Sequence, residues 1–297
     1  MKLPGCGKIV CVRRIPLVLF VVVALGIIIL APTAWPQSHP PANLTSYLGF
    51  DRNNYPGDQN LKALRKTFSF AGYWLSRPPS ARSDTWAGKR AKLQAAGFGF
   101  LVLFNGRLYA DLKTVSRATA LGKSDARAAA LAANREGFPG DTIIFLDQEQ
   151  GGRMLPEQKA YIYAWVDGVN AAGFRAGIYC SGIAAEEDHG ATIVTANDIR
   201  QNAGGRKIVY FVTDDACPPA PGCVFPKKPP SPTESGISFA EVWQFAQSPR
   251  REDVSAGCPA THNRDGNCYP PGVDVQQKLH VDVETATSAD PSQGRSR

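Results

Sequence analysis

From residue 47 onward, short runs of apolar, β-type residues alternate with stretches whose apolar positions recur at helical spacing. The runs at 47–50, 68–74, 99–104, 142–146, 177–180, 208–212 and 241–245 predict strands. Residues 85–96, 124–136 and 156–172 predict helices, each followed by a glycine (Gly97, Gly137, Gly173) where a helix C-terminus favours one. Sustained alternation of this kind predicts an α/β fold with a mostly parallel sheet. Seven or eight such units over roughly 240 residues fit a (β/α)8 TIM-type barrel better than a doubly wound sheet. The turn after the first strand, Asn53 to Gly57, has one glycine and a proline, and no phosphate-cradling G-x-x-x-x-G-K-[ST] occurs. Dinucleotide and nucleoside-triphosphate chemistry are disfavoured, and no cofactor is predicted.

Two stretches interrupt the pattern. Residues 218–232 hold seven prolines and residues 248–272 are rich in polar and turn residues, so loop insertions are expected at 214–236 and 248–272 of a barrel spanning 47–285. The segment 286–297 lacks apolar periodicity and is expected to be a disordered tail.

The N-terminus has a different character. Lys2, Lys8, Arg13 and Arg14 precede an uncharged apolar run over 15–31, which as a helix spans roughly 25 Å against a hydrocarbon core of roughly 30 Å. Residues 1–37 therefore read as a signal peptide or a signal anchor, both readings open, followed by a linker over 38–46. Arg13-Arg14 admits twin-arginine export and Pro16 equally admits ordinary Sec export. The remainder is expected outside the cytoplasm, secreted, periplasmic or anchored, with membrane contact only through the N-terminal segment if it stays uncleaved.

Charge and composition then narrow the classes. With 43% hydrophobic and 20% charged residues the chain can bury a core of its own. The formal charge is +7, of which four units lie in the export segment, leaving 7 − 4 = +3, too little and too scattered for a nucleic-acid partner. Five cysteines follow the export segment. Cys217 with Cys223, and Cys258 with Cys268, bracket short loops and suggest two local disulfides, with Cys180 a buried thiol. A zinc site of Cys258, His262 and Cys268 with Cys217 or Cys223 is the sharper alternative, but no tight C-x-x-C spacing supports it, so no metal is predicted. None of the four histidines falls in an H-E-x-x-H pattern and no G-x-S-x-G elbow exists.

The most informative stretch is 143–152, an apolar strand running into Asp147 and Glu149. Residues i and i+2 of a strand share a face, so both carboxyls are expected at the C-terminal mouth of a barrel, where barrel enzymes carry their chemistry. Two adjacent like charges raise the pKa of one, giving a neutral acid beside an ionised partner, the pair that glycosidic cleavage needs. The plainer reading is a helix cap or a partner for Arg153. Asp51 ends the first strand, Tyr179 the fifth, Trp243 and Gln244 lie in a late strand, and Asp282 follows it, together outlining an acidic pocket with aromatic walls. Tyr179, Trp243, Tyr73 and Trp74 read equally well as core aromatics.

In this order the residues resemble the glycoside-hydrolase-like barrel domain of a mycobacterial twin-arginine-exported protein, and more distantly the family-25 lysozymes. Gly122 to Ala126 and Gly137-Phe138-Pro139 carry the closer likeness. Gly49, Asp51, Tyr55 and Gly57, then Asp147 and Glu149, Ile178 and Tyr179, Trp243 and Gln244, Val281 and Asp282 carry the distant one. The distant pattern is broken by Asn53 in place of Ser, Pro56 of Gln and Glu284 of Asn. The resemblance implies hydrolysis of amino-sugar bonds in cell-wall glycan, with Glu149 as acid, Asp147 as its partner, and Asp51, Asp282, Tyr179, Trp243, Gln244 and Tyr73 against substrate. A barrel that binds envelope glycan without cutting it is the alternative, and oligomeric state is left open.

Overall fold

The apolar runs become the strands β1 (Tyr47–Asp51), β2 (Phe70–Trp74), β3 (Gly99–Asn105), β4 (Ile143–Asp147), β5 (Arg175–Ser181), β6 (Ala184–Glu186), β7 (Thr192–Val194), β8 (Val209–Thr213), β9 (Ala240–Ala246) and β10 (Asp282–Ala286). Eight of them close a barrel in the order β1-β10-β9-β8-β5-β4-β3-β2, and β6 and β7 form a separate hairpin. The helices are α1 (Leu61–Leu64), α2 (Arg90–Ala95), α3 (Tyr109–Leu112), α4 (Val115–Glu136), α5 (Pro156–Ala171), α6 (Thr195–Gln201) and α7 (Glu252–Ser255). This computed structural model describes residues 45–256, 258 and 260–295. The expected export segment and most of the linker lie outside the described residues. Among the described residues no helix is long and apolar enough to cross a membrane.

The barrel is mixed rather than all-parallel. β10 runs antiparallel to both β1 and β9, whereas the other neighbouring strands are parallel. Among its described residues the connection over 247–281 carries only the four-residue α7, too short to return the chain to the far end, so the last strand starts where β9 stops. Asp282 consequently opens its strand at the mouth where the other strands end.

Alternate residues of each strand face the barrel interior. At its base, aromatic rings fill the space left by glycines. A Cβ on Gly49 would lie 2.0 Å from the Phe70 ring, and one on Gly177 would lie 2.4 Å from Phe145. With the base of the interior occupied, a cavity opens at the C-terminal mouth.

Two helices differ from expectation. α2 begins only at Arg90, because Asp84 turns back to accept from the Trp86 N–H (2.9 Å), Gly88 takes a positive φ of 74°, and Trp86 is buried against Tyr55 and Tyr73. α4 begins nine residues earlier than predicted, at a Thr114 cap that accepts from Arg117 N–H. Gly122 does not break it: a Cβ there would lie 2.3 Å from the Tyr161 carbonyl oxygen of α5, so the glycine is what lets the two helices meet.

Residues 287–295, expected to be disordered, close the underside of the barrel, and Ala286 belongs to β10. Ser292 accepts from Ile143 N–H and Val102 N–H and donates to the Phe100 carbonyl, each at 2.8 Å, while Asp290 accepts from Phe100 N–H at 2.8 Å. The polarity that reads as disorder is here spent on the strand-end amides of β3 and β4.

The disulfide pairing also differs. Cys223 bonds Cys268, joining the two long loops to each other, and Cys180, Cys217 and Cys258 are free. Each expected pair is close in sequence, but the two loops pack side by side, with Gly222 against Thr261, which brings the far partners together. His262 lies beside the bridge, ligand atoms of the three residues falling within 4.8 Å of one another. Both sulfurs are committed to the bond, so no thiolate is left there to hold zinc.

Candidate functional site

The cavity at the mouth has a volume of about 140 Å³ and is lined by Asp51, Trp74, Asp147, Glu149, Tyr179, Phe211, Gln244 and Asp282, with Asn53 and Gln247 at its edge. Six of the eight residues singled out from the sequence therefore converge. Tyr73 and Trp243 do not. Each neighbours an inward-facing residue and so points outward. Tyr73 donates to Glu136 (2.5 Å) and packs on Trp86, Phe100 and Phe138, and Trp243 donates from Nε1 to the Asp214 carbonyl (2.8 Å). On β2 the inward aromatic is Trp74.

Asp147 closes β4, and its backbone is locked on both sides: its carbonyl accepts from Gly106 N–H (3.2 Å), and the next N–H, of Gln148, donates to the Tyr179 carbonyl (3.0 Å). Gln148 is buried and donates from Nε2 to the Gln150 carbonyl (3.2 Å), so the chain turns and returns Glu149 to the Asp147 side. Asp147 is 4% exposed and its Oδ2 has no hydrogen-bond partner; Glu149 stands exposed at the rim.

A second set of bonds runs under the pocket. Tyr179 donates to Gln244 Oε1 (2.8 Å) and accepts from Gln247 Nε2 (3.2 Å), and Gln244 Nε2 donates to Asp51 Oδ2 (3.4 Å). Asp282 accepts from the Ser248 N–H (2.5 Å). Glu284, two residues on and fully buried, has no donor on either oxygen.

Burial raises every one of these acids. Asp51 is pushed up to about 6, by loss of hydration first and by the Glu149 charge, against the bonds it accepts. Asp147 is held well above the carboxylate range by burial, then by Glu149 and Asp51. Asp282 and Glu284 are likewise held well above it, burial again leading and Asp51 adding to both. Glu149 is exposed yet flanked by protein, and partial loss of hydration raises it while the Arg251 charge works the other way. Tyr179 stays a phenol, since burial and the surrounding carboxylates raise it strongly. The mouth thus carries a ring of carboxyls at graded depth that keep their protons to higher pH than free carboxyls do, a shift of the kind that general acid catalysis uses.

Gln247 and Arg251 were not singled out from the sequence, and Glu284 was noted there only as standing in place of the family-25 Asn. Glu284 had a signal: Asp282-Val283-Glu284 repeats the D-x-E spacing of Asp147 and Glu149 on another strand. Gln247 and Arg251 come from a loop, where no periodicity announces direction. An adjoining cavity of about 600 Å³ shares Asn53, Pro79, Asp147 and Glu149 with the first and extends past Asn105 to Leu108, so open space continues on both sides of the acid pair.

The family described as the Rv2525c-like, glycoside hydrolase-like domain matches residues 62–215, more than half of the chain. The chain belongs to that family. Its fold is shared with an uncharacterized B. stearothermophilus protein of known structure, at 20% identity over 81% of this chain and 95% of that one, with a TM-score of 0.51. The Tat-secreted protein Rv2525c of Mycobacterium tuberculosis, solved with L-tartrate, matches at 13% identity over 81% and 94% of the two chains, with a TM-score of 0.48. A bacterial lysozyme from Streptomyces coelicolor matches at 14% identity over 84% and 96%, with a TM-score of 0.47. None of the curated proteins matches. The family match covers β2 to β8 with Asp147, Glu149 and Tyr179; Asp51, Gln244, Asp282 and Glu284 fall outside the matched residues.

Proposed function

We propose that this Rv2525c-like protein is an exported glycoside hydrolase that cleaves amino-sugar bonds in cell-wall glycan. The observation that carries the reading is the convergence of Asp147 and Glu149, one buried without a donor and one at the rim, in a cavity walled by Trp74 and Tyr179. Glu149 reaches solvent and substrate and protonates the leaving oxygen. Asp147, beneath it, orients the acetamido group or stabilises the positive charge at the anomeric centre. Asp51 and Asp282 extend the acidic wall, and Gln244 fixes Asp51. The two cavities flanking the acid pair give a glycan chain room on either side of the bond to be cut. The Cys223–Cys268 bridge fits an oxidising compartment, in accord with the export segment read from the sequence.

The test is reducing-end release from purified peptidoglycan. Release by the wild type that falls about 10²- to 10⁴-fold in Glu149→Gln, the variant remaining folded, supports the assignment. Activity surviving in Glu149→Gln but lost in Asp147→Asn exchanges the two roles. No release by folded wild type at any pH from 4 to 8 rejects hydrolysis of this glycan.

A further inference from the structure

Asp51 ends β1, which lies between β2 and β10, with β9 next beyond β10. On the β2 side stands Gly72, where even a Cβ would lie 2.3 Å from Asp51 Cβ, so the residue beside Asp51 on that strand has no side chain to offer. On β9, Gln244 Nε2 supplies one long bond of 3.4 Å. On β10, Glu284 is paired in register with Gly49, which has no side chain to cover it, and is the diagonal neighbour of Asp51, within the reach of a glutamate. Glu284 is fully buried and finds no donor for either oxygen. Two buried carboxylates in such a position cannot both be ionised, whereas a carboxylic acid facing a carboxylate makes a strong charge-assisted bond.

We propose that Glu284 is a positioning residue that stays protonated at neutral pH and donates its proton to Asp51, holding that carboxylate ionised and oriented beneath the acid pair. Beside the one long bond from Gln244, the carboxyl of Glu284 is the group that the β1–β10 register sets within reach of Asp51. The other titratable groups facing the two are Asp282 on β10, and Glu149 just beyond β4, with Asp147 sensing Asp51 from β4. β9 contributes the uncharged Gln244, and no Lys, Arg or His among the described residues acts on either carboxyl. Burial raises both carboxyls, contact with Gln244 lowers both, and contact between the two lowers Asp51 while raising Glu284, which accords with donation from Glu284 to Asp51. The positioning role rests on the glycosidase reading; the shared proton does not.

Carbon-13 NMR titration of the full chain labelled at Glu and Asp carboxyl carbons separates the two. Resonances are assigned with Glu284→Gln, Glu149→Gln and Asp51→Asn. The expected result is a Glu carboxyl still protonated at pH 7 that is absent from Glu284→Gln and retained in Glu149→Gln. Glu284→Ala, which removes the donor, should move the Asp51 midpoint up by about one unit or more, and Glu284→Gln, whose amide still donates, should leave it near the wild-type position. If Glu284→Ala fails to fold, the wild-type and Glu284→Gln titrations decide alone. A Glu284 carboxyl ionised at pH 7, or an Asp51 midpoint unmoved by Glu284→Ala, overturns the proposal. Peptidoglycan release that falls in Glu284→Ala and recovers in Glu284→Gln supports the positioning role. Wild-type inactivity with the shared proton present defeats the hydrolase reading and leaves the proton assignment standing.

Discussion

Asp51 and Asp282 face each other in register across the antiparallel β1–β10 pair, and both line the same cavity. Opposed like charges in a buried pair favour protonation, so the site should leave a mark on stability as well as on activity. Asp51 has a folded pKa of about 6 against an ordinary 3.8. The folded state therefore binds more protons than the unfolded state between those values, and stability falls as pH rises through that window. A shift of about two units corresponds to on the order of 3 kcal/mol at pH 7. Asp214, also raised to about 6 by burial, acts in the same direction. The melting temperature should be higher near pH 4.5 than near pH 7, and Asp51→Asn should raise it at pH 7 while lowering any glycan hydrolysis. Calorimetry across pH checks both, and a melting temperature rising from pH 4.5 to 7 would contradict the burial of these acids.

The two aromatics side by side on β2 should respond to substitution in opposite ways. Tyr73 faces outward, its hydroxyl on Glu136, so Tyr73→Phe should cost about 1–2 kcal/mol in urea unfolding and leave glycan binding and turnover unchanged. Trp74 lines the cavity, so Trp74→Ala should weaken binding of chito-oligosaccharides at least about tenfold, the loss expected for an aromatic sugar platform. Equal effects of both changes on binding would show that the cavity wall has been misassigned.

The bridge between Cys223 and Cys268 spans 45 residues and ties together the two loops that carry Asp214, Asp215 and Arg251. Its loss should destabilise the protein by about 4 kcal/mol on the chain-entropy relation. Cys268→Ser, or added reductant, is expected to lower the melting temperature markedly. Cys217→Ser, at a free thiol that donates to the Ala220 carbonyl, should change it little. Mass spectrometry of a non-reduced digest must recover the 223–268 peptide pair for this account to hold.

Deleting residues 288–297 should destabilise the chain although the segment lies at the end of the barrel remote from the acids. The N–H groups of Phe100, Val102 and Ile143 would lose Asp290 and Ser292 as partners, and the Arg90 guanidinium would lose the Gly294 carbonyl. Unpaired donors of this kind cost about 1–3 kcal/mol each, reduced where water takes over. Urea unfolding of the truncated chain should shift by several kcal/mol, while the NMR shifts of Tyr179 and Trp74 at the mouth stay in place.

The order of strands and helices, and the placing of Asp51, Asp147 and Tyr179 at strand ends, can be read from the sequence because they depend on local composition and on a periodicity of two. The strand runs around Phe70, Phe145 and Phe211 could hardly be anything else. What periodicity leaves ambiguous is which of two adjacent residues faces inward: Tyr73 or Trp74, Trp243 or Gln244. A one-residue choice inverts the face, and only closure of the barrel around Gly49 and Gly177 decides it. The direction of β10, the Cys223–Cys268 pairing and the ordering of Ser292 against β3 and β4 were decided by tertiary structure for a related reason. Each joins groups far apart in the chain, and no local preference of either partner specifies the other. Glu284 belongs with these. The sequence supplies a carboxyl two residues after Asp282, and only the closed barrel removes its water and sets it beside Asp51.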